Sequence, residues 1–341
     1  MPSEVEDLLL EARRDYLHRE SLLHRELARR WLQVEDDLRD EVLELSRALA
    51  RVSPQPIPVW RLYQDRRFRS LFLQIQALLG DMGEIVEGEF WEETSREIER
   101  TLASSRLALE TEALDTGVSL HFDKLDLKSV RNAAFHVRDN TPFTSLLSRA
   151  STVGRDAFGR HLVSSIALGL SPRDAAAKAL RSGLGQSYTR FLTIYRTEMT
   201  RVQRFTSAEV YSSTGRVRGY RRLSAKDRRT CLSCLLMDGV EFPLDHPFDQ
   251  HPNCRCILRP ILLADTRPFV RGTDWLRSQP TSVQRRFLGP RRFELFEQGM
   301  PLMNFVTRHD HPIWGSSFVD RPLTDLRAGL LPDPLEFASR R

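Results

Sequence analysis

Four cysteines and His251 crowd into residues 231–256. They read Cys231-Leu-Ser-Cys234 and then, after sixteen intervening residues, His251-Pro-Asn-Cys254-Arg-Cys256; every cysteine of the chain is among them. Clustered cysteine and histidine in a chain made in a reducing compartment favours metal over cross-links. Two residues between Cys231 and Cys234 let both thiolates reach one ion from a tight turn. Alternation along an extended strand turns Cys254 and Cys256 to one side. The four cysteines are therefore the expected ligands of a structural zinc, with His251 as the alternate ligand or a residue supporting one. A labile pair of disulfides, or plain buried thiols, is the competing reading. The stretch 225–256 has few large apolar side chains, so burial alone cannot hold it, and a metal would supply the missing folding free energy.

The elements around this cluster are mostly helical. Residues 3–50 read as one long helix, with Trp31, Val34, Leu38, Val42, Leu45 and Leu49 recurring in steps of three and four. The pattern suits a coiled coil or a helical arm. Prolines 54, 56 and 58 end it. A second helix is expected from Trp60 to Leu79, punctuated by Gly80 and Gly83, then a charged helix over 84–115. Residues 121–140 read as irregular or strand-like, and Thr141-Pro142 opens the next helix. Gly169-Leu-Ser171-Pro172 stops one helix and starts another. That helix is expected to end near Gly183 and Gly185, before a long one from Gln186 to Ser213. Val217–Leu223 and Cys256–Leu262 read as two pairing strands that flank the cluster. Beyond 265 the chain is Pro-rich, with a helix pair around Thr273–Gln298. His309 and His311 flank Asp310 there and read as surface. The expected fold is α+β, predominantly α-helical: long N-terminal helices, a helical core on a small antiparallel β element stapled by the Cys/His cluster, and an extended C-terminal tail. Three parts are expected: a helical interaction domain over 1–120, a core over 121–265 and a tail over 266–341.

Charge is divided unevenly between these parts. Residues 1–120 carry 16 basic and 25 acidic side chains, and residues 121–341 carry 35 and 21, so the overall +5 conceals −9 and +14. An acidic part can face a basic protein surface, and a basic part can lie near nucleic acid. The densest basic stretch holds Arg216, Arg218, Arg221, Arg222, Lys226, Arg228 and Arg229, with Tyr220 among them. It is the candidate nucleic-acid contact, weighed against a solvated face. No segment approaches the roughly 18 apolar residues of a membrane span. The N-terminus Met1-Pro2-Ser3-Glu4 lacks a basic-then-apolar leader pattern. A chain made and kept in a cytoplasm, or in a particle assembled there, is expected.

The ordered run of motifs resembles one family. Arg196-Thr197-Glu198 stands in the long helix, followed by Gly219-Tyr220. Asp227-Arg-Arg229-Thr230-Cys231-x-x-Cys234, Asp238-Gly239 and His251-Pro252-Asn253-Cys254-Arg255-Cys256 come next. This order is similar to the phage Mu protein F-like minor head proteins, also called phage head morphogenesis proteins, over about residues 128–265. The resemblance implies a low-copy structural protein of a tailed bacteriophage, in the virion at the portal vertex or capsid interior. Its implied partners are the portal protein, the major capsid protein and packaged double-stranded DNA. Head assembly, DNA packaging or DNA delivery would be its work. It implies no catalysis, and the chain is expected not to be an enzyme. Arg196, Glu198 and Asp227 could be imagined as acid–base groups, but no nucleophile accompanies them, and an ion-pair network clamping the long helix to the cysteine turn is the expectation. The alternatives are a zinc-stapled nucleic-acid-binding protein outside any virion, or a toxin-type enzyme fused to the head module.

Overall fold

The computed structural model describes residues 3–52, 64–122, 143–311 and 314–329. The proline linker, most of the 121–140 stretch and the Thr141-Pro142 helix start fall outside them, as does the chain from residue 330. The fold is α+β and mostly helical. Long helices come first, and a small antiparallel sheet lies beside the Cys/His cluster. The described residues form two compact units. One draws on residues 16–94 and 141–199, the other on 1–15, 95–140 and 200–341.

The first unit is all helical. It contains most of α1 (Glu4–Val52), the first part of α2 (Arg66–Thr116), α3 (Phe143–Ala167), α4 (Pro172–Ala179), a π turn (Leu180–Leu184) and the start of α5 (Gly185–Ser212). The apolar stripe of α1 does what its period demands: Trp31, Leu38, Val42 and Leu45 are buried. Trp31 meets Tyr188 and Phe191 of α5 at 5.3 and 6.4 Å between ring centroids. The glycines expected to punctuate the second helix do not break it; α2 runs unbroken through Gly80, Gly83 and Gly88. A helical glycine costs only about 1 kcal/mol against alanine, and Leu79, Met82, Val86 and Phe90 are all buried along that stretch. Ser171 caps α4 as its sequence suggests, accepting from the Asp174 amide at 3.2 Å with Pro172 next in line. The expected stop at Gly183 is instead the π turn, which hands α4 directly to α5. Gly183 is needed there for space, because a Cβ would lie 2.4 Å from the Phe158 Cα.

The second unit holds the sheet. Strands β1 (Val217–Leu223), β2 (Glu241–Phe242) and β3 (Ile257–Leu262) are antiparallel in the order β2-β1-β3. Leu223 pairs with Ile257 and Val217 with Leu262, so the two long strands match the expected pair. The short β2 was not expected; it places Phe242 beside Tyr220. Its carbonyl at Phe242 would lie 2.3 Å from any Cβ on Gly219, which explains the glycine. The one-turn helix α6 (Leu232–Leu236) lies between β1 and β2 in sequence. After β3 come α7 (Gly272–Ser278) and α8 (Thr281–Glu297), the expected helix pair, and then a hairpin of β4 (Val306–His311) and β5 (Gly315–Asp320) that the sequence did not suggest. A last turn, α9, spans Leu323–Arg327. Tyr220, Leu235, Met237, Leu258, Leu262, Leu276, Phe293 and Phe305 share one apolar cluster in this unit. His309 and Asp310 are exposed on successive positions of β4, hence on opposite faces, and form no joint site.

Candidate metal centre

Two turns carry the five donors to one place. In the first, the Asp227 carboxylate accepts from the Arg229 amide at 2.8 Å and the Thr230 hydroxyl at 3.1 Å. This closed turn delivers Cys231 to the N-cap of α6, where its sulfur accepts from the Cys234 amide at 3.3 Å. Cap and third helical residue share one side, so both sulfurs point the same way. In the second turn, Asn253 adopts a positive φ of 61° and the Cys254 amide donates to the His251 carbonyl at 3.0 Å. The chain then enters β3 through Cys256. Because β3 pairs with β1, the strand that leads into the first turn, the sheet brings the two turns together.

The donors meet at coordination distances. His251 Nε2 lies 3.2 Å from Cys231 Sγ and 3.1 Å from Cys234 Sγ, and Cys234 Sγ lies 3.6 Å from Cys254 Sγ. The donor atoms of Cys231, Cys234 and His251 are mutually within 4.8 Å, as are those of Cys234, Cys254 and Cys256. Tetrahedral zinc with Zn–S of about 2.3 Å and Zn–N of about 2.0 Å has S···S edges of roughly 3.8 Å and S···N edges of roughly 3.5 Å. Each trio approaches those edges, with Cys234 common to both, and the cluster can coordinate a metal ion. His251 Nδ1 lies 2.8 Å from the Pro252 carbonyl, so the ring proton there has an acceptor and Nε2 is left to face the sulfurs. His251 thus contacts two of the four sulfurs directly. Without a cation, protons do the joining. The hydrogen bond from Cys234 lowers the Cys231 thiol to about 4, and the same bond holds Cys234 up. Burial works against the charge on His251, yet the Cys254 and Cys231 sulfurs raise it to about 11. A dication would displace these shared protons. The Cys231–His251 contact alone resembles a thiolate–imidazolium nucleophile, but Nε2 is shared almost equally between two sulfurs, with two more thiols behind them.

Buried arginines surround the cluster. Arg204, on α5, donates to the Cys256 carbonyl at 2.7 and 2.9 Å, to the Cys254 carbonyl at 3.1 Å and to Cys254 Sγ at 3.2 Å; it also reaches Gln250. Arg222 donates to the Asp249 carbonyl at 2.7 Å and lies 3.7 Å from the same sulfur. Both guanidinium carbons stand about 4 Å from the centre of the Phe248 ring. Such cations favour the thiolate form of Cys254. Sequence reading missed Arg204.

The other candidate residues divide by burial. Arg221 and Arg222 were expected at a nucleic-acid surface, and this is corrected: both are buried. The sheet is covered on both faces, so adjacent residues of β1 both point into protein. Arg221 pairs with Glu241 at 2.7 Å and Asp265 at 3.5 Å. It belongs to a network in which Arg259 joins Glu6 and Glu112, and Arg267 joins Glu112 and Asp265. Arg216, Arg228 and Arg229 are exposed, as is Arg218, which pairs with Glu241 at 3.0 Å. Arg196 and Glu198 lie on the α5 segment of the helical unit. Arg196 ion-pairs there with Glu20 and contacts His24 Nδ1 at 3.2 Å, while Asp227 is engaged with its own turn. Asp238, at the Asp-Gly turn, accepts from the Ser224 amide at 2.6 Å and pairs with Lys226 at 2.9 Å, a structural role. His246 is half-buried and stacks on Phe242.

With the site described, comparison with known proteins adds one match. A family model described as Phage Mu protein F like protein matches residues 156–259. The span is narrower than the resemblance suggested, but it contains all five donors, Arg204 and β1. No curated protein and no solved structure matches the chain. Among the described residues, no helix is long and apolar enough to cross a membrane.

Proposed function

We propose that this chain is a minor head protein of a tailed phage or phage-like particle, located at the portal vertex or capsid interior, with no catalytic role. The observation that carries the reading is the family match over 156–259, which coincides with the sheet and the donor cluster. Its partners in this reading are the portal protein, the major capsid protein and packaged double-stranded DNA, with exposed Arg216, Arg228 and Arg229 available to phosphates. Head assembly, packaging or delivery is the process it would serve.

The module is proposed to be stapled by one structural zinc. Five donors exceed the four such a site takes. Cys231, Cys234 and His251 form one close trio, and Cys254, whose sulfur lies 3.6 Å from Cys234 Sγ, is proposed as the fourth ligand, with Cys256 as the neighbouring thiol in place of the four-cysteine set. The zinc would supply charge neutralisation and a cross-link between the two donor turns. Mass spectrometry of nuclease-treated, gradient-purified particles tests the virion reading. A low and constant copy number against the major capsid protein is the expected result. Presence in the lysate but absence from particles would overturn it.

A further inference from the structure

A cavity of about 180 Å³ opens beside the cysteine cluster, with Cys231, Cys234, Cys256 and His251 in one part of its wall and arginines in another. Arg13, Arg229 and Arg255 all line it, against one carboxylate, Asp227. That carboxylate is already engaged by the Arg229 amide and the Thr230 hydroxyl. Arg13 is the telling residue. It is only 5% exposed, and neither terminal guanidinium nitrogen has a hydrogen-bond partner among the described residues. Burial lowers its pKa to about 10, as expected of a cation short of counter-charge. Leaving a buried charged donor unmatched is costly, and native structures resolve it with a partner. The cavity lies below the roughly 300 Å³ at which pockets for drug-sized ligands begin. Its occupant is therefore of ionic size.

We infer that this cavity is a phosphate-type oxyanion site, with Arg13 as its buried anchor, and with Arg229 and Arg255 closing on the anion from its wall. Guanidinium groups match tetrahedral oxyanions through paired N–H donors. The anion's source is a backbone phosphate of nucleic acid or a free phosphate. The inference rests on the metal reading only in that the cluster forms part of the wall.

The test uses the full chain, with zinc content measured on every variant. Inorganic phosphate is titrated calorimetrically at low ionic strength, and a short DNA duplex is titrated with and without phosphate. One phosphate should bind per chain, with affinity at least tenfold weaker in Arg13→Gln and in Arg229→Gln. Arg277→Gln, exposed and outside the cavity lining, should be unchanged. Duplex binding that phosphate displaces and Arg13→Gln weakens assigns the site to backbone phosphate. Duplex binding indifferent to Arg13→Gln, with phosphate binding lost, assigns it to a free anion. Absence of saturable phosphate binding, or binding unchanged in both variants, overturns the inference. Should Arg13→Gln fail to fold, the exposed Arg229 variant decides. Phosphate binding by a chain that holds no zinc would refute the metal reading and leave this one standing.

Discussion

Replacing Arg204 by methionine keeps an apolar stem of similar length and removes the guanidinium. The loss can be estimated from what the group touches. Its donors satisfy the carbonyls of Cys254 and Cys256, both within the buried turn that enters β3. Each buried acceptor left without a partner costs about 1–3 kcal/mol. Stacking on Phe248 at 4.1 Å adds about 1–2 kcal/mol for a desolvated cation–π contact. Retained stem packing and partial relaxation offset some of this, leaving about 3–5 kcal/mol, in the range seen when a buried charge network loses one member. Urea unfolding followed by circular dichroism reads the change, with Arg216→Met as the exposed control, expected within about 0.5 kcal/mol. Zinc content should fall in parallel, because the carbonyls that Arg204 holds belong to two of the cysteines. A loss under about 1 kcal/mol with full zinc content would refute the assignment of Arg204 as the organiser of the second turn.

Other outcomes follow from the same geometry. His251→Asn and Cys234→Ser should each abolish tight zinc binding, whereas Cys256→Ser should retain one zinc per chain, read by native mass spectrometry. Gly88→Ala should raise stability by about 0.5–1 kcal/mol, since nothing lies within 4 Å of the added methyl. Gly183→Ala should lower it by about 1–3 kcal/mol through overpacking on Phe158; thermal unfolding of both variants separates the two signs. Against burial, Arg221 holds the Glu241 carboxyl below its ordinary 4.5, and Arg267 with Arg221 holds Asp265 below 3.8. Stability from these depressed groups is present above the ordinary values and lost as pH falls through the lower folded ones. Arg221→Met should therefore flatten the acid limb of a stability–pH curve below about pH 4.5.

What the sequence made legible was local. The spacing of Cys231 and Cys234 is a turn, and that of His251, Cys254 and Cys256 is another, so the cluster could be read without knowing the fold. The long apolar period of α1 and the Ser171-Pro172 start were equally self-contained. Features assembled from distant segments were not. Arg204 and Arg13 reach the cluster from helices far from it in sequence, and only the packing of those helices shows them. Arg221 and Arg222 misled because basic density suggests a surface, whereas a strand covered on both faces buries consecutive residues. The β4–β5 hairpin escaped notice because Arg308, His309 and Asp310 show no apolar alternation; its anchors are Val306 and Phe318, which face the core. Gly80 and Gly83 were read as breaks because propensity is weak beside the burial of Leu79, Met82 and Val86.

One metal ion is proposed to hold residues 231–256 together. Zinc and free thiols should be quantified on the same purified, never-chelated chain. One zinc per chain, with cysteines that react with a thiol reagent only after a chelator is added, is the expected result. Absence of zinc with all four thiols freely reactive, or with thiols paired as disulfides, would contradict it.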